Sequence, residues 1–292
     1  MKFKCERCLY ESNHPLGLFF EGNICSGCRV HDSKYIIDWE KRKIDLEKKV
    51  KSYVGINKNY DCIIPITGSA DSFFVVDYVV QKLKLRPLLV SYNSHWTNKI
   101  GWHNISLIKY IFNLDCIVKT ISPTSVKNII RLTSSKLGSI YWHVHAGKTI
   151  FPVQVSVDFG IPLIIWGEFE ATEQVGMYSY QSDVEMNRRY RREHILMGYE
   201  AEDLLKMNEI PEKDLNPFIY PSNKKIFENG TIGIYLSNYL KWDNFAQNSE
   251  MFRKYKFKVN KHLRTYDQFQ NIDDSIYMTI HDLLKFSRYG YS

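Results

Sequence analysis

No apolar run in this 292-residue chain approaches the eighteen or so residues that a membrane-spanning helix needs, so no membrane partner is expected. The opening residues, Met1-Lys-Phe-Lys-Cys5, lack the apolar stretch of a signal peptide, and a cytoplasmic location is expected. No internal repeat and no low-complexity segment occurs, which argues against solenoids and disordered linkers. Cysteine is scarce too. Six cysteines in a chain expected to meet a reducing compartment argue against a disulfide scaffold. What remains is the composition of an ordinary globular protein, 44% hydrophobic and 24% charged, long enough for one large domain or two smaller ones. A net charge of +7 favours anionic ligands. The 20 tyrosines suit stacking on a base or sugar, and suit a tyrosine-rich core equally well.

Four of the cysteines fall in two pairs, Cys5-x2-Cys8 and Cys25-x2-Cys28. Two such knuckles at this spacing read as a structural zinc ribbon, closed by four thiolates and without an open position for catalysis. A redox role fits less well, because neither pair stands between a strand and a helix. Cys62 and Cys116 lie in apolar runs and read as small buried hydrophobes.

Chemistry points to Asp61-Cys-Ile-Ile-Pro-Ile-Thr67-Gly68-Ser69-Ala70-Asp71-Ser72. An apolar run stops in small hydroxylated residues, and an amphipathic run, Phe73 to Leu83, follows. The order reads as buried strand, tight loop and helix start. Unpaired N–H groups at a helix start, with the helix dipole, attract an anion. Thr67, Ser69 and Ser72 add hydroxyls at the same point, so a phosphate or pyrophosphate is one reading. An ordinary turn capped by Asp71 or Ser72 is the other.

Around this loop the pattern is α/β. Strands are expected at Asp61–Ile66, Arg86–Ser91, Asp115–Ile121 and Ile161–Trp166, with helices at Phe73–Leu83, about Asn104–Asn113, and in a long section near Ser125–Phe159. Short apolar strands alternating with helices imply a parallel sheet covered on both faces, with ligands beyond the carboxyl ends of its strands. The expected organisation is a ribbon over 1–32, a charged linker helix over 33–56, the α/β domain over 57–230 and a C-terminal helical segment over 231–292. Arg188-Arg189-Tyr-Arg191-Arg192 reads either as a solvated helix face or as a phosphate contact. His143 and His145 form an HxH pair that a helix would point apart, so they are read as ordinary histidines.

The loop resembles the PP-loop of the ATP pyrophosphatases, usually Ser-Gly-Gly-x-Asp-Ser. Loop, ribbon and tail together resemble the N-acetyl sugar amidotransferases of bacterial surface-polysaccharide and flagellin-glycan synthesis. The residues that carry the resemblance include Cys5-Glu-Arg-Cys8, Pro15, Phe19 to Cys28, Tyr60-Asp61-Cys62, Gly101 and Asn104. Trp166-Gly167-Glu168, Ile234 to Asp243 and His281 to Phe286 extend it over nearly the whole chain. Ser69 stands where the family has its second loop glycine, and Ala70 where lysine is frequent. The chain stops at Tyr291-Ser292, where family members usually continue.

The resemblance implies a parallel-sheet PP-loop ATP pyrophosphatase domain that uses ATP and Mg2+, beside structural Zn2+ on Cys5, Cys8, Cys25 and Cys28. It implies conversion of an N-acetyl group on a free or nucleotide-activated sugar into an acetamidino group through an adenylated imidate. Ammonia would come from a partner glutaminase and its cyclase-like subunit. Thr67, Gly68, Ser69 and Ser72 would contact phosphates, Asp71 would orient Mg2+, and Ser91 to Asn93 would frame the adenine. Glu168 would orient substrate or position ammonia, with a helix-capping role as the alternative. Two other readings stand beside this one: a tRNA-modifying PP-loop enzyme, and a scaffold that has lost activity. Nucleic acid is a weak expectation, since 39 basic residues are mixed with 32 acidic ones and no dedicated RNA-binding motif is evident.

Overall fold

The computed structural model describes residues 4–13, 17–182, 184–260, 267–276, 279–280 and 282–289. Pro15, His281, Tyr291 and Ser292 lie outside them.

A two-residue hairpin, β1 (Phe20–Glu21) and β2 (Ile24–Cys25), leads into α1 (Ser26–Ser33) and α2 (Trp39–Lys51). Asp38 caps α2 by accepting from Lys41 N at 2.9 Å. The alternating region follows as β3 (Cys62–Pro65), α3 (Ala70–Asp77), β4 (Pro87–Asn93), α4 (Lys99–Phe112), β5 (Cys116–Thr120), α5 (Pro123–Leu137), α6 (Trp142–Phe159) and β6 (Leu163–Trp166). Short helices α7 (Glu170–Glu173), α8 (Arg188–Tyr190), α9 (Ala201–Leu205), α10 (Glu212–Leu215) and α11 (Asn223–Asn229) precede β7 (Ile232–Tyr235), and α12 (Asn244–Tyr255) and α13 (Asp282–Tyr289) follow it.

The expected parallel sheet is present. Its order is β5-β4-β3-β6-β7, with Pro65 beside Val90, Ile63 beside Ile164 and Trp166 beside Tyr235. Alternation along the strands covers both faces. Cys62, Ile64, Leu89, Leu163 and Ile165 pack in one core with residues of α3, α4 and α12. Ile63, Leu88, Val90 and Ile164 pack with Ile150, Val153 and Val155 of α6 in another. The chain adds β4 and β5 on one side of β3, then β6 and β7 on the other. The carboxyl ends of β3 and β6 therefore flank the switch point where such sheets bind ligands.

Several boundaries moved for local reasons. The α3 helix begins at Ala70 rather than Phe73, because the small loop residues are themselves its first turn. The α4 helix begins at Lys99 rather than near Asn104, since the Asn98 side chain caps it by accepting from Ile100 N and Gly101 N, each at 2.9 Å. The long section near 125–159 is two helices, divided where Gly138 takes the left-handed conformation. Ile232–Tyr235 lies in the segment expected to be helical, yet it is the edge strand of the main sheet. Four residues are too few to show a period before the aromatic run that follows. His143 is fully buried and His145 exposed, so the pair diverges on α6.

Helix α6 crosses the sheet closely at Gly147, where a Cβ would lie 2.5 Å from the ring of the buried Tyr92. Gly147→Ala is therefore expected to destabilise the protein by about 1–3 kcal/mol, although alanine is the better helix former by about 1 kcal/mol. Urea unfolding checks this, and a variant as stable as the parent would refute the close crossing.

Candidate functional site

The loop leaves β3 at Ile66, whose N–H still bonds Val90 O at 2.9 Å, and then turns sharply. Gly68 makes the turn at φ +84°, where a Cβ would lie 2.3 Å from Gly101 O. No other residue type fits. Asn104, fully buried on α4, donates to Gly68 O at 3.1 Å and to Lys258 O at 2.9 Å, and its Oδ1 accepts from Lys258 N at 3.0 Å. One amide thus pins the loop to α4 and to the chain beyond α12.

Three hydroxyls meet inside the turn. Ser69 N donates to Thr67 Oγ1 at 3.3 Å, Thr67 N donates to Ser72 Oγ at 3.3 Å, and the Ser69 and Ser72 hydroxyls lie 3.2 Å apart. Ser69 caps α3 without a side-chain hydrogen bond, so no capping side chain occupies the first N–H groups. Ser69 itself has φ −66° and ψ 164°, ordinary extended backbone. The serine where the resembled family has glycine therefore carries no steric cost. Ala70 is buried in the core under the sheet, facing away from the turn's mouth.

Asp71 does not cap its own helix. It sits in the first turn, half-buried, and its Oδ1 accepts from Asn248 of α12 at 2.8 Å. Burial pushes its carboxyl up to about 6, opposed by the Asn248 bond and reinforced by Asp273, Asp267 and Glu170. Across the switch point, Glu168 accepts from Asn244 at 2.7 Å. Burial raises it to about 8, again against its amide bond, with Asp71, Glu170 and Glu173 adding to the rise. Phe169, not Glu168, occupies the cap position of α7, so the helix-capping alternative for Glu168 is absent. Glu170 stands exposed, yet surrounding protein raises its carboxyl, and Lys148 is the cation that opposes this. The cleft is acidic, and among the described residues no three of its carboxylates converge closely enough to hold an ion unaided.

Ser91 and Asn93 are on β4. Ser91 is buried within the ladder to β5, opposite Val118. Asn93 ends the strand, donating to Thr120 Oγ1 at 3.3 Å and accepting from His95 N at 2.9 Å. The structure thus groups Thr67, Gly68, Ser69, Ser72, Asp71 and Glu168 around the switch point, while Ser91 and Asn93 stand on the neighbouring strand β4. Sequence reading missed Asn248 and Asn244, whose partners are 177 and 76 residues away. The one local signal was Asp243, which caps α12 by accepting from Ala246 N at 2.9 Å.

The four paired cysteines form a separate centre. Their sulfurs all lie within 4.8 Å of one another, with Cys5 to Cys28 at 3.8 Å and Cys8 to Cys25 at 3.5 Å. A tetrahedral ion bonded at about 2.3 Å to four sulfurs sets them about 3.8 Å apart, so the donor set fits Zn2+. The basic cluster is neutralised: Arg188 pairs with Glu202, Arg189 with Glu193, Arg192 with Asp203, and the buried Arg191 with Glu200.

No family model matches the chain. A 116-residue stretch is 26% identical to an uncharacterized protein of Methanocaldococcus jannaschii, covering 39% of this chain and 42% of that one. The match therefore spans about two fifths of that relative's length. Among solved structures, the NH3-dependent NAD synthetase of Campylobacter jejuni aligns over 78% of this chain and 99% of its own, at 15% identity and TM-score 0.38. The NMN synthetase of Francisella tularensis aligns over 82% and 98%, at 10% and 0.37. The U34-tRNA thiolase of Methanococcus maripaludis aligns over 91% and 76%, at 11% and 0.33. Among the described residues no helix is long and apolar enough to cross a membrane.

Two outcomes test these centres. Freshly prepared protein is expected to hold about one zinc per chain, lost in Cys25→Ser; metal analysis below about half an equivalent would remove the zinc assignment. Glu168 offers a pH test. A carboxyl whose pKa rises on folding favours the folded state below its unfolded value, 4.5, and loses that contribution as pH climbs through about 8. Glu168→Gln should thus raise the melting temperature at pH 8.5 by several degrees relative to the parent, with little difference at pH 4.5. Equal melting curves at both pH values would contradict the buried placement.

Proposed function

We propose that the chain is an ATP-dependent enzyme whose Thr67–Ser72 loop holds the pyrophosphate of ATP, activating an amide oxygen for replacement by ammonia. The observation that carries this is the convergence of three hydroxyls and an uncapped helix start at the sheet's switch point, opposite Glu168. An anion is the guest that such a turn stabilises. Its surroundings are acidic, so the triphosphate would enter with a divalent cation. Asp71, in the first turn of α3, would hold the Mg2+ that enters with the phosphates. The ion would supply charge neutralisation for the departing pyrophosphate.

In the reaction the acetamido oxygen of an N-acetyl sugar attacks the α-phosphorus, and pyrophosphate leaves. The resulting adenylated imidate carries a leaving group that an amide lacks. Ammonia adds at the imidate carbon, AMP departs with the oxygen, and an acetamidino group remains. Glu168, across the switch point from the loop, would receive a proton from the incoming nitrogen in its ionised form. Ammonia would come from a separate glutaminase with its cyclase-like subunit. The sugar class rests on the resemblance of the Cys-x2-Cys, Trp166-Gly167-Glu168 and Ile234–Asp243 blocks.

Calorimetry with ATP and Mg2+ tests the reading. Binding is expected at pH 7.5, weaker by about tenfold or more in Asp71→Asn. Since Asp71 must be ionised to hold the cation, affinity should fall as pH drops through about 6, and the variant should lack that dependence. No binding to the parent would favour the scaffold reading. Pyrophosphate release that requires tRNA, and ignores N-acetyl sugar with ammonia, would move the assignment to RNA modification.

A further inference from the structure

A second site lies on the opposite face of the sheet. A cavity of about 360 Å3 opens between strand β6, the edge strand β7 and the helices α6 and α11, within the size range of small-molecule pockets. Its floor is Ile164 and Gly233, partners in the sheet register. Trp166 and Met186 close down on Gly233, where a Cβ would lie 2.9 Å from Trp166 Nε1 and 3.0 Å from Met186 Cβ.

The lining has a consistent chemistry. Val153, Ile226, Met186 and Tyr220 give an apolar and aromatic body, and Arg188 and Arg189 stand at one side with no carboxylate in the wall. Arg188 is held over the Tyr220 ring, 5.5 Å from its centroid, and is paired at 2.8 Å with the part-exposed Glu202, which an incoming anion would share or displace. Arg189 is 84% exposed and its partner Glu193 is also solvated, a pair that an incoming anion displaces at little cost. The Trp166 indole packs on Gly233, its Nε1 covered by the strand, and its ring closes one wall. The larger cavity, about 590 Å3 beside α2, differs in that Asp38 and Asp45 share its wall.

We propose that the Trp166–Gly233 cavity binds a small organic anion with a planar or apolar body, its phosphate or carboxylate on Arg188 and Arg189 and its body against Tyr220, Ile226 and Val153. The site does not depend on the reading of the Thr67–Ser72 loop, and its test needs no ATP.

Anilinonaphthalene sulfonate, a planar body bearing one anion, serves as reporter on the intact zinc-loaded chain, with emission followed under tryptophan excitation. Saturable binding is expected, displaced by phenyl phosphate or by benzoate. Stronger displacement by the first identifies a phosphate ligand, and by the second a carboxylate. The double variant Arg188→Gln, Arg189→Gln should weaken dye and competitor together by about tenfold or more. Gly233→Val, which pushes Trp166 and Met186 off the strand and so deforms two walls, should weaken binding. Circular dichroism accompanies it, and the rim arginines carry the test alone if the fold is lost. Failure of both anions to displace the dye, or parental affinity in the arginine double variant, would overturn the proposal. Adding ATP with Mg2+ should leave the titration unchanged, so failure of the loop to bind ATP and failure of this site are read separately.

Discussion

The site depends on one close approach of backbone to backbone. Gly68 turns at φ +84° directly against the carbonyl of Gly101, leaving no volume for a side chain at position 68. Gly101 is itself boxed in, by Thr97 and by Asp273, at 2.8 and 2.9 Å from where its Cβ would stand. The loop, the start of α4 and the 267–276 segment therefore fix one another. Asn104 closes the triangle by bonding both Gly68 O and Lys258. A loop held this tightly presents its hydroxyls and N–H groups without reordering when a guest arrives, which is how a short turn becomes a binding element.

That same closure gathers negative charge. Asp267 and Asp273 reach Asp71 electrostatically because the segment carrying them is pinned over α4, where Asn98 donates to Ile272 O at 2.8 Å. Glu168 and Glu170 complete the acidic surroundings from β6 and α7. Alone, these groups raise one another's affinity for protons, which is a cost of folding at neutral pH. With a divalent cation and a polyphosphate between them, the same charges become a neutralised cluster. The acidity and the anion-seeking turn are complementary only if the guest brings its own cation, and both features follow from how Gly68 meets Gly101.

The parts legible in the sequence were those encoded locally. Cys62-Ile-Ile-Pro65 and Leu163-Ile-Ile-Trp166 read as buried strands because every residue is apolar, and the knuckle spacing announced four converging thiolates. Ser69 shows where motif comparison stops: it stands at a glycine position of the resembled family, yet its backbone is ordinary extended chain. The short Ile232-Gly-Ile-Tyr235 strand was hidden because it gains its pairing only from β6, 69 residues earlier at Leu163–Ile232. Asn248 and Asn244 were invisible for the same reason. An amide in an amphipathic helix carries no sign of which carboxylate it will meet once the helix has docked.

The zinc centre belongs to this closure, although it touches no loop residue. The packing face of α1 meets the turn after α7: Ser26 donates to Val175 O at 2.7 Å, and a Cβ on Gly176 would lie 2.4 Å from Ser26 O. Lys34, just past α1, is buried between Glu173 and Trp242 O, the latter at 2.9 Å. Its ammonium joins α7, which carries Glu170, to the residues that lead into α12, which carries Asn248. Four thiolates without an ion would repel or protonate, and the two knuckles would have little else to hold them, since β1 and β2 are two residues each. A metal on these thiolates would therefore fold the ribbon, whose helix α1 packs against the turn after α7. A centre with no open coordination position acts on the site through packing, by fixing where Glu170 and its helix can stand.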